Sequence, residues 1–192
     1  REMGGGVVGV GIRPNVGLRE GTDGELGASG AVAGDEYGRT SVDGVYAAGD
    51  CAEDTHTVTG EPAWVPLGLT ANRAGRAVGQ TVAGDPTPTG HIAGTAVVKA
   101  FDLECGRAGL LPEEAREAGF EPVAETVETR SRSGYYPGAA ETTVSLVADA
   151  GTERLLGGTI VGADRAAVRI DTVATALEAG MTVAELERTD LA

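Results

Sequence analysis

The spacing of apolar residues changes part-way along the chain. In the first half, residues 7–12 form an apolar run that predicts a buried strand, closed by Arg13-Pro14-Asn15 because proline removes a ladder donor. Residues 31–33 and 39–42 flank Gly34-Asp35-Glu36-Tyr37-Gly38, the composition of a hairpin turn. A short strand of small residues follows at 45–48 and ends on Gly49-Asp50. From 66 to 82 the residues Leu67, Ala71, Ala74, Ala77, Val78 and Val82 recur at helical spacing, with Pro66 at the first position and Gly84 just past the end. This predicts a helix.

The second half alternates differently. Residues 95–101, 121–129, 142–148 and 155–161 read as strands, with a period of two clearest in Thr143-Val144-Ser145-Leu146-Val147. A short helix is predicted at 112–118, stopped by Gly119, and a longer one at 164–179 with Ala167, Ile170, Val173, Ala174 and Leu177 on one stripe before Gly180. Thr182 and Glu185 have the spacing of a capping box for a last helix. The pattern implies an α/β unit followed by an α+β domain with a mainly antiparallel sheet and helices on one side. Its uncovered face is a natural place for a partner subunit.

Composition locates the boundary. Glycine takes 20 of the first 90 positions and 11 of the last 102, and the change falls at the Pro/Gly-rich stretch 84–90. Two units, 1–90 and 91–192, follow from it. At 192 residues the chain is too short for an enzyme with two full dinucleotide-binding folds. The charge balance, 29 Asp and Glu against 15 Lys and Arg, gives a net of −14. Such a field repels phosphate backbones and anionic lipid, which argues against nucleic-acid and membrane partners. No apolar run approaches the roughly 20 residues that span a bilayer, so a soluble cytoplasmic protein is expected. Lys99 is the only lysine among those basic residues. Acid excess without lysine stems predicts a halophilic protein, one that works in concentrated salt.

Candidate chemistry concentrates at Thr40-Ser41-Val42-Asp43-Gly44-Val45-Tyr46-Ala47-Ala48-Gly49-Asp50. There a strand ends in Gly49, which lets a ligand approach the backbone, and presents Asp50, an acceptor-only carboxylate suited to the hydroxyls of a polyol. Some fifteen residues later Pro66, Leu67 and Gly68 open the predicted helix, whose N-H groups and positive dipole end favour negative charge on a ligand. Gly4-Gly5-Gly6-Val7-Val8-Gly9 matches G-x-G-x-x-G formally, but without a preceding strand and following helix it is no phosphate cradle.

These residues carry a resemblance. T-S-x-x-G-V-Y-A-A-G-D is similar to the second FAD fingerprint of the FAD-dependent pyridine nucleotide-disulfide oxidoreductases. Residues 9–15 resemble that family's exit from its NAD domain, and residues 71–76 its helix along the flavin. Beyond the linker the chain resembles the family's dimerisation domain, so the likeness covers nearly its whole length. Asp43 departs from the usual proline, which loosens a turn and removes no ligand contact. The resemblance implies FAD and NAD(P)H as cofactors, a homodimer through 91–192, Asp50 on a ribityl hydroxyl, and Pro66 to Gly68 at the pyrimidine edge of the flavin.

Tyr135-Tyr136-Pro137-Gly138 resembles the coenzyme A-disulfide reductase and NADH oxidase branch. By that resemblance Tyr136 reaches across the dimer to assist at the redox cysteine, while Arg132 and Tyr135 lie by the substrate. The implied reaction carries hydride from NAD(P)H through FAD to a cysteine-based acceptor, with coenzyme A disulfide as the favoured substrate. Reduction of oxygen or peroxide is the alternative, and a dimerisation module without activity a third reading. The family's first FAD fingerprint and nucleophilic cysteine are missing, which suggests the C-terminal piece of a longer protein. Cys51 and Cys105 sit 54 residues apart with no base beside them and do not replace that nucleophile. His56 and His91 lack partners at ligand spacing, so no metal is expected. Trp64 and Phe101 are expected as core or interface anchors, with a flavin-facing role as the alternative for Trp64.

Overall fold

The structure, a computed structural model, describes residues 8–19 and 21–191. Its first half holds a 3-10 turn at Gly17–Arg19, strand β1 (Asp54–Thr55) paired antiparallel with β2 (Pro62–Ala63), and helix α1 (Gly68–Val82). The strand predicted at 7–12 does not form among the described residues, and Val7 lies outside them. Val8, Val10 and Ile12 are 84%, 89% and 67% exposed. An apolar run becomes a strand where a neighbour takes its backbone groups and covers its side chains. Here none of the described ladders includes it.

Residues 31–42 give a tight turn where a two-armed hairpin was expected. The Asp35 N-H donates to Arg39 O at 2.9 Å, and Asp35 Oδ1 accepts the N-H groups of Tyr37 and Arg39 at 2.9 Å each. Val32 bridges Leu26 and Ala52 instead of the other arm, and the strand predicted at 45–48 is reduced to one bridge between Tyr46 and Arg39. Helix α1 starts two residues later than predicted: Pro66 precedes Leu67, which is the N-cap. Its buried stripe is Thr70, Ala74, Ala77 and Thr81, while Val82 is exposed. Thr81 tolerates burial because its hydroxyl accepts the Thr87 N-H at 3.0 Å and donates to Thr87 O at 3.2 Å.

The second half forms one five-stranded antiparallel sheet. In chain order its strands are β3 (Ala96–Ala100), β4 (Leu103–Gly109), β5 (Pro122–Arg130), β6 (Glu141–Asp149) and β7 (Leu155–Gly162), and they lie side by side as β3-β4-β7-β6-β5. Strand β4 was missed by the pattern, since Glu104, Gly106, Arg107 and Gly109 interrupt any alternation. Gly106 is nevertheless required there. A Cβ at that position would lie 2.8 Å from Ile170 Cβ, so its absence lets helix α3 (Ala166–Glu178) settle on the sheet. The buried stripe of α3 is Ala166, Ile170, Val173, Ala176 and Leu177, packed with Leu156 and Ile160. Helices α2 (Pro112–Glu117) and α4 (Val183–Glu187) complete the chain. The predicted capping box opens α4: Thr182 Oγ1 accepts the Glu185 N-H at 3.2 Å, and Glu185 Oε2 accepts the Thr182 N-H at 2.9 Å.

Helices do not all lie on one side of this sheet. Glu114 of α2 pairs with Arg107, which alternates with Gly106 and so points away from α3. Ala115 of α2 and Val58 are both buried and belong to the same hydrophobic cluster. Val98 and Leu103 are more than half exposed, and Phe101, expected in a core or an interface, stands 98% exposed at the hairpin tip with φ 56°.

Among the described residues Val58 is the one residue of the first half in the main hydrophobic cluster, and the turn that delivers it is built around His56. His56 Nδ1 accepts the N-H groups of Val58 at 3.2 Å and Thr59 at 3.4 Å, a role open only to the neutral ring. Burial pushes the His56 pKa below the usual imidazole range; nearby Glu114 pulls it up and Arg107 pushes it down. Burial also pushes Glu114 up, but hydrogen bonds from Arg107 and the Leu111 N-H outweigh this and keep it an anion. The folded state therefore binds the His56 proton less tightly than the unfolded chain. Stability from this group is present above the ordinary imidazole value and is lost as pH falls toward the depressed folded value. We expect the melting temperature to drop across that mildly acidic window, and a His56→Gln variant to show a flatter profile. An unchanged slope in the variant would assign the drop to other groups.

Candidate functional site

Gly49 adopts φ +80°, a conformation that glycine alone takes without strain. A Cβ there would stand 3.2 Å from Ala71 Cβ, so the missing side chain brings the 49–50 turn against the second turn of α1. The turn closes through the Ala52 N-H to Gly49 O at 2.9 Å. Trp64 then fixes the neighbouring backbone, its indole N-H donating to Asp50 O at 2.9 Å. That bond is a finding about Trp64, which is half-buried at this junction. The Asp50 side chain is exposed, and no hydrogen bond of the described residues engages its carboxylate.

Helix α1 begins beside this turn without a side-chain cap, because Leu67 offers no acceptor. The Ala71 N-H reaches Leu67 O at 2.9 Å, leaving the N-H groups of the first turn without an intrahelical partner. Space beyond Gly68 is open, since an added Cβ would meet nothing within 4 Å. The structure thus brings the Gly49-Asp50 turn beside the start of α1. An exposed acceptor-only carboxylate one residue from the Gly49–Ala71 contact, with uncapped N-H donors at the helix start, can hold hydroxyls at one point and partial negative charge at another. These features fit the polyol and ring of a flavin. A groove of about 610 Å³ runs from this end of α1 towards α3, lined by Leu69, Thr70, Arg73 and Ala174 among others. Neither Asp50 nor Pro66 lines it, and the acid faces open surface.

The second predicted cluster lies in the loop between β5 and β6. Arg132 donates from Nε to Asp164 Oδ2 at 3.0 Å and from Nη2 to Oδ1 at 2.8 Å, and its Cζ lies 5.2 Å from the centre of the Tyr136 ring. Arg132 and Tyr136 therefore meet, but the cation expected beside the substrate is already matched by a carboxylate. Tyr135 projects into solvent, 89% exposed. A groove of about 680 Å³ passes Arg130, Arg132, Glu141 and Thr142 and includes neither Asp50 nor residues 66–68. Sequence reasoning missed Asp164, which lies 32 residues from its partner. The Ser131 hydroxyl first, and then Arg132, hold its carboxyl below the usual range.

Cys51 and Cys105 are free thiols; Cys51 Sγ lies 3.5 Å from the carbonyl of Ala48, a contact that does not activate a nucleophile. His91 finds a carboxylate partner that its sequence neighbours lack, Glu178 at 3.9 Å. Among the described residues no three His, Cys, Asp or Glu side chains are grouped to hold a metal ion. No helix among them is long and apolar enough to cross a membrane.

Comparison with known proteins decides the family. Residues 2–75 match the profile of the pyridine nucleotide-disulphide oxidoreductases, and residues 95–191 match that family's dimerisation domain. The chain belongs to the pyridine nucleotide-disulphide oxidoreductases. Within that family it is 40% identical over 186 residues to the NAD(P)H coenzyme A polysulfide/persulfide reductase of Pyrococcus horikoshii, covering 97% of this chain and 42% of the relative. Coenzyme A disulfide reductase of Staphylococcus aureus is 30% identical over 187 residues, again covering 97% and 42%. The solved NAD-dependent persulfide reductase of A. fulgidus superposes with a TM-score of 0.91 at 38% identity over 95% of this chain and 34% of that one. The chain thus spans about two-fifths of the length of the curated relatives it matches.

Proposed function

We propose that this oxidoreductase chain supplies the flavin-contacting end and the dimerisation domain of a longer FAD-dependent enzyme, dividing near residue 90. In this reading the whole protein carries electrons from NAD(P)H to a coenzyme A disulfide or persulfide. The observation that carries the proposal is the unengaged Asp50 carboxylate, its backbone pinned by Trp64, beside the uncapped start of α1. Asp50 holds a ribityl hydroxyl, Gly49 permits the close approach, and the N-H groups at Gly68 and beyond stabilise negative charge at the pyrimidine edge. Asp50 and the N-H groups at Gly68 and beyond would hold FAD, which when bound would supply hydride chemistry between the nicotinamide and a sulfur acceptor.

The remaining assignments concern the acceptor. The exposed loop of Tyr135 and Tyr136, with Arg132, completes the substrate pocket of the partner subunit in a homodimer formed through 91–192. A phenol there donates to a thiolate or a leaving sulfur. The nucleophilic cysteine comes from outside this chain, since Cys51 and Cys105 are passive. The similarity to relatives named coenzyme A reductases supports this substrate class. A second reading, an NADH oxidase, is supported by 31% identity over 180 residues to the NADH oxidase of Methanocaldococcus jannaschii. Assay of the full-length protein separates the two: NAD(P)H consumption that requires coenzyme A disulfide supports reduction of sulfur, and equal consumption with oxygen alone supports the oxidase. The isolated chain is expected to be colourless and inactive.

We also propose that the protein works at high salt and without nucleic-acid partners, from its charge of −14 and its single lysine. Screening removes the self-repulsion of so many carboxylates. The melting temperature of the full-length protein is therefore expected to climb between dilute buffer and molar potassium chloride; a flat or falling curve would contradict the salt adaptation.

A further inference from the structure

The loop that carries Tyr135 and Tyr136 is tied down at its base and from outside. At the base, the Ser131 N-H donates to Ala140 O at 2.9 Å, and Ser131 Oγ accepts the Ala140 N-H at 3.1 Å. Ser131 is 1% exposed, and its carbonyl accepts Arg169 Nη2 from α3. From outside, Asp164 in the turn before α3 grips Arg132 through Nε and Nη2 in the two-pronged geometry that fixes a guanidinium in a plane. Both side chains are partly shielded, 30% exposed for Arg132 and 22% for Asp164. The guanidinium so fixed sits over the ring of Tyr136.

Two further features single this arrangement out. Arg165, the residue after Asp164, sits at φ +60°, a strained conformation for a side chain of its size, kept in the turn that presents the carboxylate. And the two adjacent tyrosines are treated differently: Tyr136 is 55% exposed with a cation on its face, while Tyr135 is 89% exposed with none.

We propose that Asp164 is a positioning residue for the acceptor site: it orients Arg132, Arg132 holds the ring of Tyr136, and the tyrosine phenol is thereby aimed before substrate arrives. Arg132 then serves first as a support for Tyr136, with Asp164 neutralising the charge that would otherwise be available to phosphate. The inference rests on the assignment of Tyr136 to the acceptor pocket, and it makes a structural claim that can be read independently of that assignment.

The structural test uses the full-length holoenzyme with 3-fluorotyrosine incorporated, the fluorine resonances of residues 135 and 136 being identified by Tyr135→Phe and Tyr136→Phe. Asp164→Asn and, separately, Arg132→Gln are expected to shift and narrow the Tyr136 resonance while leaving Tyr135 where it was. An unmoved Tyr136 resonance in both variants, with unchanged melting temperatures, would overturn the clamp. In the kinetic test with coenzyme A disulfide, Asp164→Asn is expected to lower kcat about tenfold. Flavin reduction by NAD(P)H should stay at the wild-type rate. In a Tyr136→Phe background the same substitution should have less than about a twofold effect, because the support has lost what it supports. Equal losses in both backgrounds would overturn action through Tyr136. A wild-type enzyme inert towards coenzyme A disulfide would sink the acceptor assignment instead, while the fluorine spectra still decide the clamp.

Discussion

Replacing Asp50 with alanine in the full-length protein is expected to weaken FAD retention about 10- to 100-fold, the worth of one hydrogen bond from a hydroxyl to a charged carboxylate. The effect should be separable from folding. Asp50 contributes its backbone carbonyl to the chain's own architecture, through the Trp64 indole at 2.9 Å, and alanine keeps that carbonyl. The carboxylate itself is exposed and bonded to nothing among the described residues, so its loss leaves no buried partner unsatisfied. Equilibrium dialysis or flavin fluorescence quenching measures the affinity, and a thermal melt of the apoprotein serves as control. A variant that binds FAD as tightly as the wild type would remove Asp50 from the site.

Gly109→Ala is expected to cost about 3–5 kcal/mol, a large part of the stability of an ordinary domain. Gly109 holds φ +72°, where any side chain is strained, and the space beside it is filled. A Cβ there would collide with Leu156 O and stand 2.7 Å from Gly157 Cα and 2.8 Å from Leu177 Cδ1. Two of those contacts are backbone of β7 and cannot swing aside. Gly157, its ladder partner, is equally constrained, since a methyl group added there would run into the carbonyl oxygen of Leu110. The pair of glycines lets β4 turn away from β7 towards α2 directly over the end of α3. Urea denaturation of the full-length protein followed by far-ultraviolet dichroism reads the loss. A midpoint within error of the wild type would show that this junction relaxes at little cost.

How much of this was legible in the sequence depended on where the deciding contacts lie. Strands β5, β6 and β7 and helix α3 were readable because their own neighbours in sequence set the period, and the Thr182–Glu185 box because it is local. Strand β4 was hidden by glycines whose purpose is set by residues far away, Gly106 by Ile170 and Gly109 by Leu156 and Leu177. The strands expected at 7–12 and 45–48 had the right composition, but a strand also needs partners, and the described residues offer 45–48 a single bridge. At the site, Gly49 and Asp50 stood out because the stretch 40–50 that resembles a family fingerprint is a local signal. Asp164 carried no such signal, since its role emerges only when the turn before α3 meets a loop 32 residues upstream.

Between Asp50 and the ribityl chain, the interatomic distance in a crystal structure of the full-length protein grown with FAD is the most direct check on the whole reading. A carboxylate oxygen within about 3 Å of a ribityl hydroxyl, with the ring edge over Gly68, is the predicted result. A flavin seated elsewhere, leaving that acid bare to solvent, would contradict it.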